Sequence, residues 1–419
     1  MKIKLLLSAM LLAGFVAPSS LSATEAKPPL LLKKDDKVII IGDSITEERL
    51  YSKFIELYFA ACLPELNLRA QHLGWSGATV GGYRTRMDLV LLPAKPNLVT
   101  ICYGMNDGGY GAFNPTVGRN YKDNLGFVVE AMKNNGAIVL VGSPGAVDTR
   151  FFPTAAVYNE TLGQLRDVAR EVAEAQQQPS VDLHDILIES MAKAKSALGN
   201  DYPVCGVDGI HPGPPGSLIM AYAFLKAMGV DGNIGTITID MKGNATATEG
   251  HKVLSSQPGQ AEIESTRYPF CFSGGEKLPN GTLSILPFVP FNQDLNRFTL
   301  VVKNLESEKA KVTWGAVSKV FTKKELASGI NLADVFAAAN PFSETFQKAD
   351  TAVFVKQTLE SECKHVIEDI NDLTEQDATS AAQLDQVRKK IDQALEKSHS
   401  DVRAILVPLK HTLTVTPES

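Results

Sequence analysis

The 419-residue chain is short of several things, and each shortage closes a class of function. It has five cysteines, Cys62, Cys102, Cys205, Cys271 and Cys363. They lie far apart, with no CxxC pair and no Cys/His cluster at metal-binding spacing. Buried thiols are the plain reading, and an odd number leaves at least one unpaired even if a disulfide forms. Positive charge is not in excess: 41 Lys and Arg stand against 47 Asp and Glu, a net charge of -6. That excludes the basic footprint of a nucleic-acid-binding protein. After residue 16 no apolar run approaches the ~20 residues that a membrane helix needs. The seven histidines form no coherent ligand set with acids or thiols, so no metal is expected.

The N-terminus is where apolar residues do gather. Lys2 and Lys4 precede the run Leu5 to Val16, and Pro18, Ser19, Ser20, Ser22 and Ala23 follow. This is the pattern of a secretory signal peptide cut near Ala23, with no cysteine placed for a lipid anchor. The expected mature protein is soluble and secreted or periplasmic.

From 37 to 229 strand and helix patterns alternate. Strands are expected at Lys37–Gly42, Asn67–Leu73, Asn97–Tyr103, Ala137–Val141 and Ser180–Leu183, with helices near 47–62, 82–90, 117–134, 154–176, 184–198 and 216–228. Such alternation predicts a five-stranded parallel sheet covered by helices on both faces, a three-layer α/β/α fold. Ligands of such sheets bind at the carboxyl ends of the strands. After Gly229 the period changes to two, at 236–240, 261–266, 297–303 and 312–314, with Gly and Pro clusters between. This predicts a small antiparallel β domain, a sandwich, over 230–341. Thr322 to Glu325 reads as a capping box opening a short helix. Over 342–398 two apolar helical faces follow: Val355, Leu359, Cys363, Val366 and Ile370, then Leu384, Val387, Ile391 and Leu395. They predict a helical hairpin. The last segment, 399–419, returns to strand character and is expected to rejoin the β domain.

The chemistry gathers in four loops. Val38-Ile39-Ile40-Ile41 is a strand buried on both faces that breaks at Gly42-Asp43 and presents Ser44 at its tip. Gly74-Trp75-Ser76-Gly77 follows the second strand and Gly104-Met105-Asn106-Asp107 the third. Asp208-Gly209-Ile210-His211 precedes the last helix of the α/β region. Serine is a weak nucleophile until a base takes its proton, and His211 is the natural base. Asp208, three residues earlier, can reach Nδ1 in a tight turn and leave Nε2 facing the serine. The backbone N–H groups of Ser44 and Gly77 and the amide of Asn106 can serve as oxyanion donors. Asp43 and Asp107 read as holding loop shape rather than as extra acids. His72, His184, His251, His365, His399 and His411 have no such role. The loop Gly108-Gly109-Tyr110-Gly111-Ala112-Phe113 offers aromatic surfaces, so Tyr110 and Phe113, with Trp75, Arg84 and Tyr103, are candidate substrate contacts.

These four motifs, in this order, resemble the SGNH (GDSL-like) hydrolase superfamily, over roughly residues 37 to 229. The resemblance implies Ser44, Gly77, Asn106 and His211 as signature residues, with Asp208 as the triad acid and an SGNH/flavodoxin-like sheet. Ile45 stands where many members carry leucine. The order of the later domains resembles exported bacterial carbohydrate-active esterases. The expectation is a catalytic domain at 24–229 that hydrolyses short acyl esters, acetyl above all, on a polysaccharide or oligosaccharide, with no cofactor. Two rivals carry different expectations. A lipolytic esterase or lysophospholipase would use the same residues with a long apolar cleft. A non-catalytic carbohydrate-binding or cell-surface protein would keep the scaffold and lose the chemistry.

Overall fold

The computed structural model describes residues 28–152, 154–373 and 378–418. The segment read as a signal peptide lies outside the described residues. Strand β1 (Lys37–Gly42) leads into a single helical turn, α1 (Ser44–Glu47), and then α2 (Tyr51–Cys62). β2 (Arg69–Gly74) is followed by the short α3 (Val80–Tyr83) and irregular helical turns to Ala94. β3 (Leu98–Cys102), α4 (Pro115–Asn134), β4 (Ile138–Gly142), α5 (Ala155–Ala175), β5 (Ser180–Val181), α6 (His184–Leu198) and α7 (Pro214–Ala227) complete this half.

The five strands form one parallel sheet in the order β2-β1-β3-β4-β5. Side chains of a strand alternate between faces, so β1 feeds two cores. Val38 and Ile40 join α2, α6 and α7 on one face, while Ile39 and Ile41 join α4 and α5 on the other; all four are fully buried. This is the α/β/α architecture expected from the alternation. Gly42 pairs level with Gly74 and Cys102, and Cys102 with Gly142. The strand ends are therefore flush, and the loops that leave them share one edge. At that edge α1 crosses the end of β2 so closely that a Cβ on Gly74 would lie 2.4 Å from the Glu47 backbone nitrogen.

Two helices depart from expectation. The one near 47–62 is interrupted, because Arg49 takes the left-handed conformation (φ 61°) between α1 and α2. The one near 82–90 is only α3 and a series of tight and wide turns, with Gly81 and Gly82 weakening its start and Pro93 its end.

The second half comprises β6 (Asn233–Asp240), β7 (Ala245–Ala247), β8 (His251–Gln257), β9 (Gln260–Ser265), α8 (Phe291–Leu295), β10 (Arg297–Lys303), β11 (Lys309–Trp314), β12 (Val317–Thr322), α9 (Lys323–Ser328), β13 (Ile330–Asn331), α10 (Leu332–Val335), α11 (Ser343–Leu373), α12 (Ala378–Ile405) and β14 (Leu409–Glu418). One sheet runs β13-β10-β6-β7 and the other β12-β11-β14-β9-β8. They pack through Phe298, Trp314, Phe342 and His411, whose ring centroids lie 5.0–6.3 Å apart. The second sheet is antiparallel, as expected, but β6 and β10 pair in parallel. Between them the chain leaves for the other sheet and packs Phe270 and Phe291 against Tyr58 of α2, so it re-enters in the same direction. Thr322 and Glu325 form the capping box of α9.

β14 lies between β11 and β9, so the two long helices are inserted before the last strand of that sheet. α12 continues to Ile405, past residue 398 where the sequence pattern ended the hairpin. The apolar face read on α11 is only partly buried: Leu359, Cys363 and Ile370 are half-buried, and Ile370 packs with Ile391 against the cluster that holds Leu384. Val355 and Val366 are 62% and 44% exposed, while Lys356, Gln357, Glu360, Ser361 and Lys364 are buried against α2 and β2. All five cysteines are unpaired.

Candidate active site

The site begins where β1 stops. Asp43 has extended geometry and its carboxylate accepts from the Ile45 N–H (3.0 Å), which caps α1 and sets Ser44 as the first helical residue. Ser44 Oγ lies 2.8 Å from Nε2 of His211. Nδ1 of His211 lies 2.6 Å from Oδ2 of Asp208. A carboxylate can only accept, so the proton sits on Nδ1 and Nε2 is left to accept from the serine.

The loop that carries His211 is a tight turn, as its three-residue spacing requires. Oδ1 of Asp208 accepts from the N–H groups of Ile210 and His211, at 2.9 and 3.0 Å. Partial burial pushes the Asp208 carboxyl up, but these donors and the imidazole outweigh it and hold the group below the usual carboxylate range. The turn is braced from β4's side of the sheet. Asp148 N–H donates to Gly209 O (2.8 Å), and the fully buried Asp148 carboxylate pairs with Lys195 at 2.5 Å.

The other two loops arrive beside the serine. Gly77 has φ 69°, a conformation that favours glycine, and a Cβ there would meet nothing within 4 Å. Asn106 Nδ2 donates to Ala78 O (3.0 Å), and Tyr110 Oη donates to Asn106 Oδ1 (3.0 Å). These two bonds fix which end of the amide is the donor. Asp107 accepts from the Val80 N–H at 3.1 Å and so joins the loop after β3 to the start of α3.

Of the five candidate substrate contacts, Tyr110 alone is tied to this cluster. It is half-buried and stacks on Tyr158 at 5.1 Å. Trp75 and Tyr103 are core residues, 3% and 1% exposed, packed on either side of Tyr83. Arg84 is held on α4, over Phe127 (3.9 Å) and against Asn124 (3.0 Å). Phe113 packs over Gly118 at the start of α4. Glu47 and Val207 were not singled out from the sequence. Glu47 accepts from the Ser76 N–H at 2.5 Å, and Val207, next to Asp208, is 83% exposed at the rim. Nothing in their local pattern marks either one. Among the described residues no group of three or more His, Cys, Asp or Glu could hold a metal ion. Among them too, no helix is long and apolar enough to cross a membrane.

Burial raises the Asp43 carboxyl to about 7, with the Asp107 charge adding to it and the Ile45 N–H opposing. In the unfolded chain it titrates near ~3.9. Between those values the folded state keeps a proton that the unfolded state has lost, so stability falls as pH rises through that window. Asp43→Asn keeps an oxygen for the Ile45 N–H and removes this slope. Urea unfolding at pH 5 and pH 8 should show the variant gaining on the parent by on the order of 2–4 kcal/mol at the higher pH. Parallel profiles would reject the buried, proton-holding carboxyl.

A flavodoxin-like three-layer sheet with a serine, a histidine and a carboxylate in one hydrogen-bonded row along its carboxyl edge has the architecture of an SGNH-type hydrolase. Residues 40–219, less than half of the chain, match the sequence model of the GDSL-like lipase/acylhydrolase family. The chain is similar to an acetylxylan esterase of Geobacillus stearothermophilus, 23% identical over 217 residues that make up 47% of this chain and 95% of the relative. A solved structure described as a gut microbial diltiazem-metabolizing enzyme shares the fold across both halves. It has a TM-score of 0.73 at 20% identity and covers 94% of this chain and 99% of its own. A crystal structure of an acetylxylan esterase from Geobacillus stearothermophilus is 23% identical, covers 48% of this chain and 97% of its own, and has a TM-score of 0.40.

Proposed function

We propose that the chain is a secreted serine esterase that hydrolyses short-chain acyl esters, acetyl above all, on a polysaccharide or oligosaccharide. The observation that carries this reading is the unbroken row from Ser44 Oγ to His211 (2.8 Å) and from His211 to Asp208 (2.6 Å). His211 takes the hydroxyl proton as Ser44 attacks the ester carbonyl. The N–H groups of Ser44 and Gly77 and the Asn106 amide receive the charge that develops on the carbonyl oxygen. His211 then passes its proton to the departing alcohol. Water, deprotonated by the same ring, attacks the acyl-serine; the acyl–Oγ bond breaks, the acid leaves, and the ring returns the proton to Ser44 Oγ. No cofactor enters the cycle.

The acyl and sugar assignments draw on different observations. The acetylxylan esterase that this chain resembles supports a short acyl group. Tyr110, half-buried beside Asn106, supplies a flat surface of the kind on which sugar rings stack. Within this reading 24–229 is the catalytic unit, 230–341 and the final strand form a β-rich accessory unit, and the helical hairpin is inserted between them.

Acetate release from a panel of acetylated polysaccharides, alongside aryl esters of increasing acyl length, tests the proposal. It expects acetate from at least one polysaccharide and a rate that falls from acetyl to longer chains. A rate that climbs with chain length would favour a lipolytic esterase. Retention on a glycan array without any ester hydrolysis would favour a binding protein.

A further inference from the structure

Helix α11 carries a charged stripe, Lys356, Glu360, Lys364 and Glu368, repeating every four residues. Four residues of helix rise ~6 Å and two residues of strand ~6.7 Å, so such a stripe keeps step with alternate positions of one strand. The strand in question is β2, the edge of the parallel sheet. Lys356 Nζ donates to Ala70 O at 2.8 Å. The His72 N–H donates to Glu360 Oε2 at 2.9 Å. Lys364 Nζ donates to Gly74 O, and the Trp75 indole N–H donates to Glu368 Oε2 at 3.0 Å. The side chains of Lys356, Glu360 and Lys364 are 2%, 1% and 1% exposed. An edge strand that would otherwise bury unpaired backbone groups finds its partners on a helix.

The last two members of the stripe reach the candidate active site. Lys364 pairs with Glu47 at 3.1 Å, and the other oxygen of Glu47 holds the Ser76 N–H. Glu47 ends α1, the turn that Ser44 begins. Glu368 bonds both Trp75 and, at 2.6 Å, Arg86. Residues 74–76 are thus gripped on both sides, and Gly77 comes next. Gly77 itself is exposed and an added Cβ would meet nothing within 4 Å, so its direction is set from its neighbours: the Ala78 N–H donates to Trp75 O (3.2 Å), Asn106 Nδ2 donates to Ala78 O (3.0 Å), and residues 74–76 are fixed by the hairpin.

We propose that Lys364 and Glu368 are positioning residues for hydrolysis: from the inserted hairpin they hold the loop 74–79 so that the Gly77 N–H meets the oxyanion formed by Ser44. The hairpin is then part of the hydrolytic apparatus rather than a brace or a separate binding module. The inference rests on the esterase reading above. Its physical basis is that oxyanion donors work only when preorganised, and a displacement of about 1 Å can cost on the order of 10²-fold in rate. The charge state of Glu47 agrees with the role. Burial would raise its carboxyl, but the bonds from Ser76 and the Lys364 charge prevail and hold it at about 2, ionised throughout the working range.

The test uses the full chain and an aryl acetate, with Lys364→Met, Glu368→Leu and Glu368→Gln. Glutamine keeps an oxygen for the Trp75 indole at the expense of the Arg86 ion pair; leucine keeps neither bond. Lys364→Met and Glu368→Leu should each lower kcat on the order of 10–100-fold with KM within about threefold, and Glu368→Gln should recover most of that loss. If Lys364→Met fails to fold, the Glu368 pair still decides. A parental kcat in Glu368→Leu overturns the inference, as does equal loss in the leucine and glutamine variants or a change confined to melting temperature or KM. The esterase reading fails separately, if the parent is inactive or if Ser44→Ala retains activity; the positioning role then falls with it.

Discussion

Ser44→Ala reduces hydrolysis of a short-chain aryl ester by at least about 10⁴-fold and abolishes labelling by a fluorophosphonate serine probe. The size of the effect follows from what is removed. Oγ is the atom that forms the covalent bond, and His211 Nε2, 2.8 Å away, has its proton to take only from there. The oxyanion donors survive the substitution, so a residual rate above that of water remains. The fold should survive too, because alanine suits the first turn of a helix whose cap is provided by Asp43. A variant with near-parental turnover and an unchanged unfolding transition would remove Ser44 from the chemistry. A parent that the probe never labels would point to a binding protein built on a hydrolase scaffold.

Legibility in the sequence differed between elements for physical reasons. β1 could be read because four β-branched residues between turn formers admit little but a strand buried on both faces, and Val38 to Ile41 are fully buried. The parallel sheet followed from the alternation of strands with long helices. The meeting of Asp208 with His211 could be read because a three-residue spacing in a glycine-containing turn closes on itself. Trp75 and Tyr103 could not be sorted from Tyr110 by residue type. An aromatic just after a strand looks the same whether it turns into the core, as those two do, or toward the cluster. The second, charged contact face of α11 went unread for a related reason. Helical periodicity seeks apolar stripes, yet here the partner is an unpaired strand edge, and the stripe that satisfies it is charged. That demand originates near residue 72, far from α11 in sequence, and no local pattern announces it. The parallel pairing of β6 with β10 is hidden in the same way, since direction depends on where the intervening chain travels.

Asp208→Asn separates the orienting role of the carboxylate from its charge, and it should be more damaging than its conservative appearance suggests. Oδ1 of Asp208 accepts from two backbone N–H groups, Ile210 at 2.9 Å and His211 at 3.0 Å. Asparagine must keep its oxygen there, because its NH2 group would otherwise face two donors. The NH2 is then turned to Nδ1 of His211, where Oδ2 now lies at 2.6 Å. Nδ1 becomes the acceptor, the ring proton moves to Nε2, and a donor faces the Ser44 hydroxyl. The base is thereby switched off without any movement of the backbone. The expected loss in kcat is on the order of 10³–10⁴-fold, with KM little changed. Asp208→Ala leaves the ring free to choose either tautomer and should retain more activity than Asp208→Asn, even though alanine removes more atoms. Steady-state kinetics of the two variants on one aryl acetate decides the point. If the asparagine variant matches or exceeds the alanine variant, the two backbone bonds that hold Oδ1 have no part in choosing the tautomer.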